Sequence, residues 1–210
     1  MSVDGRGAAR RDRAVGERAV SKDTILDATR VLLRKGSALE IRAIDIAEES
    51  GLSRQTVFQY YPAPRLIFFE LSDLCQAALQ EAIGAVDPTE ADWEIRIPEV
   101  AAAILLEDSA VNRQVLFISA SQGRGADAVM AETRHIVTNV FHTRLTAGTS
   151  KYPSYRDDIA YVSLTLFNGL MYQWAAGILS DDEFRNESSL VVERVVQHGL
   201  NHLHLGSETE

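Results

Sequence analysis

RAIDIAEESGLSRQTVFQYY, residues 42–61, has the pattern of two short helices about a tight turn. Ala47 is small where two helices would cross closely, and Gly51 can supply the positive φ of the turn. Ile44, Ile46, Leu52 and Val57 are spaced to face a common core. That leaves Ser53, Arg54, Gln55, Thr56 and Gln59 directed outward. Ser53 has N-cap chemistry, so the second helix is expected to start with N–H groups and a positive dipole end available to a phosphate. Arg54, Gln55, Thr56 and Gln59 can bond base edges or backbone oxygens, and the hydroxyls of Tyr60 and Tyr61 close the helix. An αα-corner with a polar outer face would show part of this pattern, so the flanks have to discriminate.

Upstream, Ser21 is placed to cap a first helix with Ile25, Ala28, Leu32 and Leu33 on one stripe, ending at Arg34-Lys35-Gly36. Downstream, Pro62-Ala-Pro64 stops the second short helix and starts another, on which Ile67, Leu71, Leu74 and Ala78 recur at helical spacing as far as Gly84. A capped helix before the turn unit and a proline-started helix after it make the spacing of a three-helix DNA-binding head. A helix that leaves the head for the rest of the chain is also a mechanical link.

IDIAEESGLSRQTVFQYYPAPRL resembles the DNA-binding head of the TetR family of transcriptional regulators, whose pattern IA…aGvs…t.Y.yF..K..L spans the second to fourth helices. The resemblance is close over residues 24–70 and architectural beyond. It implies DNA contacts from Arg42, Ser53, Arg54, Gln55, Thr56, Gln59, Tyr60 and Arg65. Phe58 stands where the family usually has a phosphate-contacting tyrosine, Pro64 where it has a lysine, and Arg42 where a Ser or Thr often caps the second helix. Arg65 and Arg42 are the replacement donors.

The net charge of −9 looks wrong for a DNA-binding protein until it is divided along the chain. Residues 1–70 hold twelve basic against ten acidic side chains, and residues 71–210 hold nine against twenty. An acidic body repels a duplex and leaves the head as the face that can approach it. Residues 1–20, with Arg6, Arg10, Arg11, Arg13 and Arg18 but no periodic apolar face, are expected to be a disordered basic arm. Such an arm either lays arginines on phosphates or is a solvated tail. It lacks an apolar core for a secretory signal, and no apolar run is long enough to span a membrane. The single cysteine, Cys75, excludes an intramolecular disulfide and suits a reducing cytoplasm.

Beyond the head the expected elements are all helical. After an irregular segment over 87–98 around Trp93, Pro98 is expected to start a short helix through Leu106, and Val111, Val115 and Ile118 mark another over 109–121. Val129, Ile136, Val137, Val140 and Phe141 mark a third over 126–147. Residues 155–179 carry Ile159, Val162, Leu166, Phe167, Leu170, Met171, Trp174 and Ile178, too many for one narrow stripe. A last helix over 188–204 carries Leu190, Val191, Val195, Val196, Leu200 and Leu203. Two terminal helices with surplus apolar surface resemble the family's dimer interface, a four-helix bundle formed with a symmetry mate.

No catalytic or metal constellation survives inspection. Gly123-Arg-Gly125 lacks the strand a dinucleotide cradle needs, and Ser119-Ala-Ser121-Gln-Gly123 lacks the first glycine and strand of a nucleophile elbow. His198, His202 and His204 lack a second shell and suit the negative end of a helix. His135, Asn139 and His142 form a polar stripe, either a solvated face or a cavity lining. The family resemblance places an effector pocket in the body, for which Trp93, Arg113, Phe117, His135, Asn168, Tyr172 and Trp174 offer aromatic bulk and convergent polar groups.

The sequence therefore predicts an all-α chain: a basic arm over 1–20, a three-helix helix-turn-helix DNA-binding domain over 21–66, and a helical ligand-binding and dimerisation body over 67–210. The implied function is a cytoplasmic homodimeric repressor, without cofactor or enzymatic activity, released from an inverted-repeat operator by a small molecule. The competing reading is a helical small-molecule-binding protein whose head no longer reads a specific site.

Overall fold

The computed structural model describes residues 21–87, 93–121, 135, 137–139 and 153–205, and every regular element among them is a helix. Contacts divide the chain into two compact units, Met1–Leu71 and Ser72–Glu210, each with its own core.

In the first unit, helix α1 covers residues 21–35. Ser21 is the first described residue and is helical. Ile25, Leu26, Ala28, Thr29 and Leu33 are its buried stripe, and the Thr29 hydroxyl is satisfied by the Ile25 carbonyl at 2.8 Å. Helix α2 (Ala43–Ser50) buries Ala43, Ile46 and Ala47, and helix α3 (Arg54–Tyr60) buries Val57. Ile44, expected in the core, is exposed. It lies about 100° round the helix from Ala43, outside the stripe that Ala43, Ile46 and Ala47 define.

Helix α4 (Pro64–Gly84) contains the boundary between the units. Ile67, Leu71, Cys75, Leu79 and Ile83 are buried at intervals of four. Leu74, expected inward, is one residue off that register and exposed. Burial pushes the Cys75 thiol up to about 11, so it remains protonated near neutral pH.

In the second unit, helices α5 (Trp93–Glu107), α6 (Ser109–Ser121), α7 (Pro153–Ala175) and α8 (Asp181–Leu205) pack as α5 on α8, α7 on α8, α6 on α7 and α5 on α6. Pro98 sits inside α5 and does not start it. The proline removes one N–H, near the N-terminal end of a fifteen-residue helix, and its ring is buried. Val111, Val115 and Ile118 are buried on α6 as expected. Residues 135 and 137–139 are helical, with Val137 buried; the expectations for residues 1–20, for Gly123-Arg-Gly125 and for Val129, Ile136, Val140, Phe141 and His142 lie outside the described residues.

Helix α7 shows why its composition is so apolar. Ser163, Phe167, Met171 and Trp174 are buried, whereas Tyr161, Val162, Leu166 and Tyr172 are exposed. Helix α8 begins at Asp181, seven residues before the expected start. Glu183 accepts from the Ser180 backbone N–H at 2.8 Å, and Ser180 accepts from the Glu183 N–H at 3.2 Å, a reciprocal capping box. Hydrogen bonds from the Ser180 backbone and hydroxyl hold the Glu183 carboxyl below its usual range.

Candidate nucleic-acid interface

Gly51 has φ 68° and ψ 14°, the left-handed conformation that ends α2 without penalty only when no Cβ is present. The Leu52 N–H reaches back to the Ala47 carbonyl at 3.1 Å and closes the turn. Ser53 caps α3, accepting from the Thr56 N–H at 3.0 Å, and the two hydroxyls lie 2.8 Å apart. Ser53 and Thr56 thus act first as the local staple that sets the start of α3. Arg54, Gln55, Phe58 and Gln59 are exposed on the outer face, and Tyr60 is half-buried. Of the side chains expected to face outward, Ser53, Arg54, Gln55 and Gln59 are exposed and Thr56 is half-buried.

Phe58 is the apolar member of that face. The Arg54 guanidinium carbon lies 5.4 Å from its ring centroid, one helical turn away. The two tyrosines part company at the end of α3. Tyr61 is buried and donates its hydroxyl to Glu70 at 2.8 Å, and Lys22 pairs with the other oxygen of the same carboxylate. Burial, followed by the Glu70 contact, raises the Tyr61 pKa. Glu70 was not singled out by sequence; the signal is a tyrosine in the core, whose hydroxyl requires a partner.

Arg42 precedes α2 and is exposed, but it is not bare. Asp45 accepts from its backbone N–H at 2.8 Å, from Nε at 3.1 Å and from a terminal guanidinium nitrogen at 2.8 Å. The Arg42 side chain, then its backbone N–H, hold the Asp45 carboxyl below its usual range. Half of a capping box therefore comes from the acidic residue three positions on, and the arginine presents an already paired charge. Arg65, second in α4, is exposed. Lys35 and Glu49 pair at 3.0 Å.

The body candidates are not gathered in the same way. Arg113 and Trp174 meet, with the guanidinium carbon 4.9 Å from the indole ring, but both are engaged. Arg113 donates to Asp181 at 2.6 Å and to the Leu179 carbonyl at 3.1 Å, and the Trp174 indole donates to Asp181 at 2.8 Å. Trp174 is fully buried and stacks on Phe184 with centroids 5.0 Å apart. This cluster fastens α6 to the α7–α8 corner. Burial of Asp181 opposes its ionisation, but hydrogen bonds from Trp174, Arg113 and Ser109 outweigh it and hold the carboxyl below its usual range. Phe117 and Tyr172 are exposed, Asn168 is half-buried, and His135 is exposed with Asn139 3.1 Å away. The Trp93 side chain and those of His198, His202 and His204 lie outside the described residues. Among the described residues no group of three or more His, Cys, Asp or Glu could hold a metal, and no helix is long and apolar enough to cross a membrane.

Solved structures share this arrangement of helices. A TetR-family transcriptional regulator from Streptomyces coelicolor superposes with a TM-score of 0.64 at 12% identity, over 90% of this chain and 86% of that one. The chain has the TetR-regulator fold. A TetR-like transcriptional regulator from Rhodococcus sp. RHA1 gives 0.61 at 18% identity, over 85% of this chain and 97% of that one. A TetR transcriptional regulator from the same organism gives 0.58 at 13%, over 86% and 97%. No protein-family model matches the chain, and no curated protein does. At such identities the likeness is one of fold, carried by helix order and packing and not by shared side chains.

Proposed function

We propose that this chain is a DNA-binding transcriptional regulator, a cytoplasmic repressor that holds an inverted-repeat operator as a homodimer and leaves it when a small molecule binds the body. The observation that carries the reading is the α2–Gly51–α3 unit, whose outer face presents Arg54, Gln55 and Gln59 on a helix fixed by the Ser53 cap. The shared fold supports it, as does the concentration of acidic charge outside the first seventy residues. The exposed Tyr161, Val162, Leu166 and Tyr172 support self-association through α7 and α8, because a monomer would leave them to water. Symmetry of the protein then imposes symmetry on the DNA.

Release by an effector requires an element that both sites bias. Helix α4 is continuous from Pro64 to Gly84 and belongs to both units. A change in its inclination that shifts the spacing between two heads by a few ångströms would take them out of register with grooves about 34–36 Å apart.

Selection of bound duplexes from a random pool tests the reading. An inverted repeat is expected, with affinity falling steeply with salt. Recovery of no preferred sequence would overturn it. A candidate effector must then bind more weakly to the operator complex by the factor by which it weakens DNA binding, and equal affinities would exclude it.

A further inference from the structure

Phe58 is 37% exposed on the outer face of a seven-residue helix whose other exposed members are Arg54, Gln55 and Gln59. A single exposed apolar residue is ordinary. Its use here is not, because the ring lies beneath the guanidinium of Arg54, with the guanidinium carbon 5.4 Å from the centroid. Several arginines are paired with carboxylates: Arg30 with Asp27, Arg42 with Asp45, Arg113 with Asp181 and Arg185 with Asp182. Among the described residues Arg54 has no such partner, and the ring alone holds it. A cation–π contact uses none of the guanidinium N–H groups as hydrogen-bond donors, so they stay available. Guanine offers that fork two matched acceptors, O6 and N7, and the thymine 5-methyl is the apolar mark in the major groove that a phenyl ring can touch.

We propose that Arg54 and Phe58 form one reading unit for a thymine–guanine step, the ring aiming the guanidinium fork at guanine O6 and N7 and offering its exposed edge to the thymine methyl. The proposal rests on the DNA-binding reading and adds the base step and the role of Phe58. Phe58 is a specificity residue on its own account and a positioning residue for Arg54.

The test uses the full chain and a duplex selected by it, compared with the same duplex carrying deoxyuridine for thymine or 7-deazaguanine for guanine. Loss of one buried methyl is worth about fourfold in affinity. The unmodified protein and Phe58→Tyr are therefore expected to lose about fourfold with deoxyuridine, and Phe58→Ala nothing. The 7-deazaguanine substitution should weaken the unmodified protein and leave Arg54→Ala unaffected. Without DNA, the Arg54 side-chain protons should carry an upfield ring-current shift that Phe58→Leu abolishes. Equal losses with deoxyuridine in the unmodified protein and Phe58→Ala would overturn the proposal, as would selected sites without guanine at the position where Arg54→Ala relaxes preference. A protein that selects no sequence at all would overturn the DNA-binding reading itself, and this inference with it.

Discussion

The Tyr61 hydroxyl, Glu70 and Lys22 make a relay that joins the end of α3 to α4 and α1. Replacing Tyr61 by Phe keeps the buried ring and removes one hydrogen bond to a carboxylate, which is expected to cost about 1–2 kcal/mol. The pKa of Tyr61 is raised on folding, so its contribution is fully present below the unfolded value, about 10, and is lost as pH rises toward the folded one. Urea melts at pH 8 and 11 should show a gap between the two proteins that narrows at the higher pH. A gap that widens would contradict the relay. Asp181 behaves with the opposite sign: its pKa is depressed, so stability is present above about 3.9 and is lost as pH falls through the folded value. Asp181→Asn should cost about 1–2 kcal/mol at pH 7 and flatten the acid limb of the unfolding profile. Trp174 fluorescence would report the Asp181 change, and an unchanged acid limb would show that the Arg113 pair contributes nothing.

Among the elements, two short signals set boundaries, and periodicity alone misplaced the first. The Ser180–Glu183 box starts α8 at Asp181, where the apolar pattern suggested 188. The intervening Asp-Asp-Glu-Phe-Arg-Asn-Glu is polar except for Phe184, which is fully buried against Trp174 and Phe167. Ser180→Ala is expected to lower stability by about 1 kcal/mol, and an unaltered thermal midpoint would mean that the box is redundant. Gly51 is the other fixed point. Gly51→Ala meets no neighbour within 4 Å, so its expected cost of about 1–2 kcal/mol comes from the left-handed backbone alone. A stability loss well above that range would indicate that the turn, and with it the direction of α3, has changed.

The whole molecule raises the question of what covers α7. Leu170 and Val195 pack against the chain's own core, so charges there would damage folding and report poorly on assembly. Leu166 is 44% exposed and makes the cleaner probe. Leu166→Glu is expected to give a folded monomer with unchanged helicity, whereas the unmodified chain should scatter light as a dimer at micromolar concentration. A monomeric unmodified chain would remove the dimer from the proposal.

Much of the head could be derived from its sequence alone, because each feature is local. Gly51 at the turn, Ser53 at the cap, the outward run of Arg54, Gln55 and Gln59, and the helical spacing on α1 and α6 depend on neighbours within a turn or two of chain. Only the tertiary structure decided which side chains are already engaged. Arg113 and Trp174, read from sequence as pocket residues, each donate to Asp181, which is distant from Arg113 in sequence. Tyr61, read from sequence only as a hydroxyl closing the helix, is committed to Glu70. Ile44 and Leu74 were each placed one residue from the true stripe, since a change of one residue rotates a helical side chain by about 100° and only the packed neighbour fixes the face. A polar side chain carries the same chemistry in either setting; which partner it meets depends on helices far apart in the chain, and no local pattern encodes that meeting.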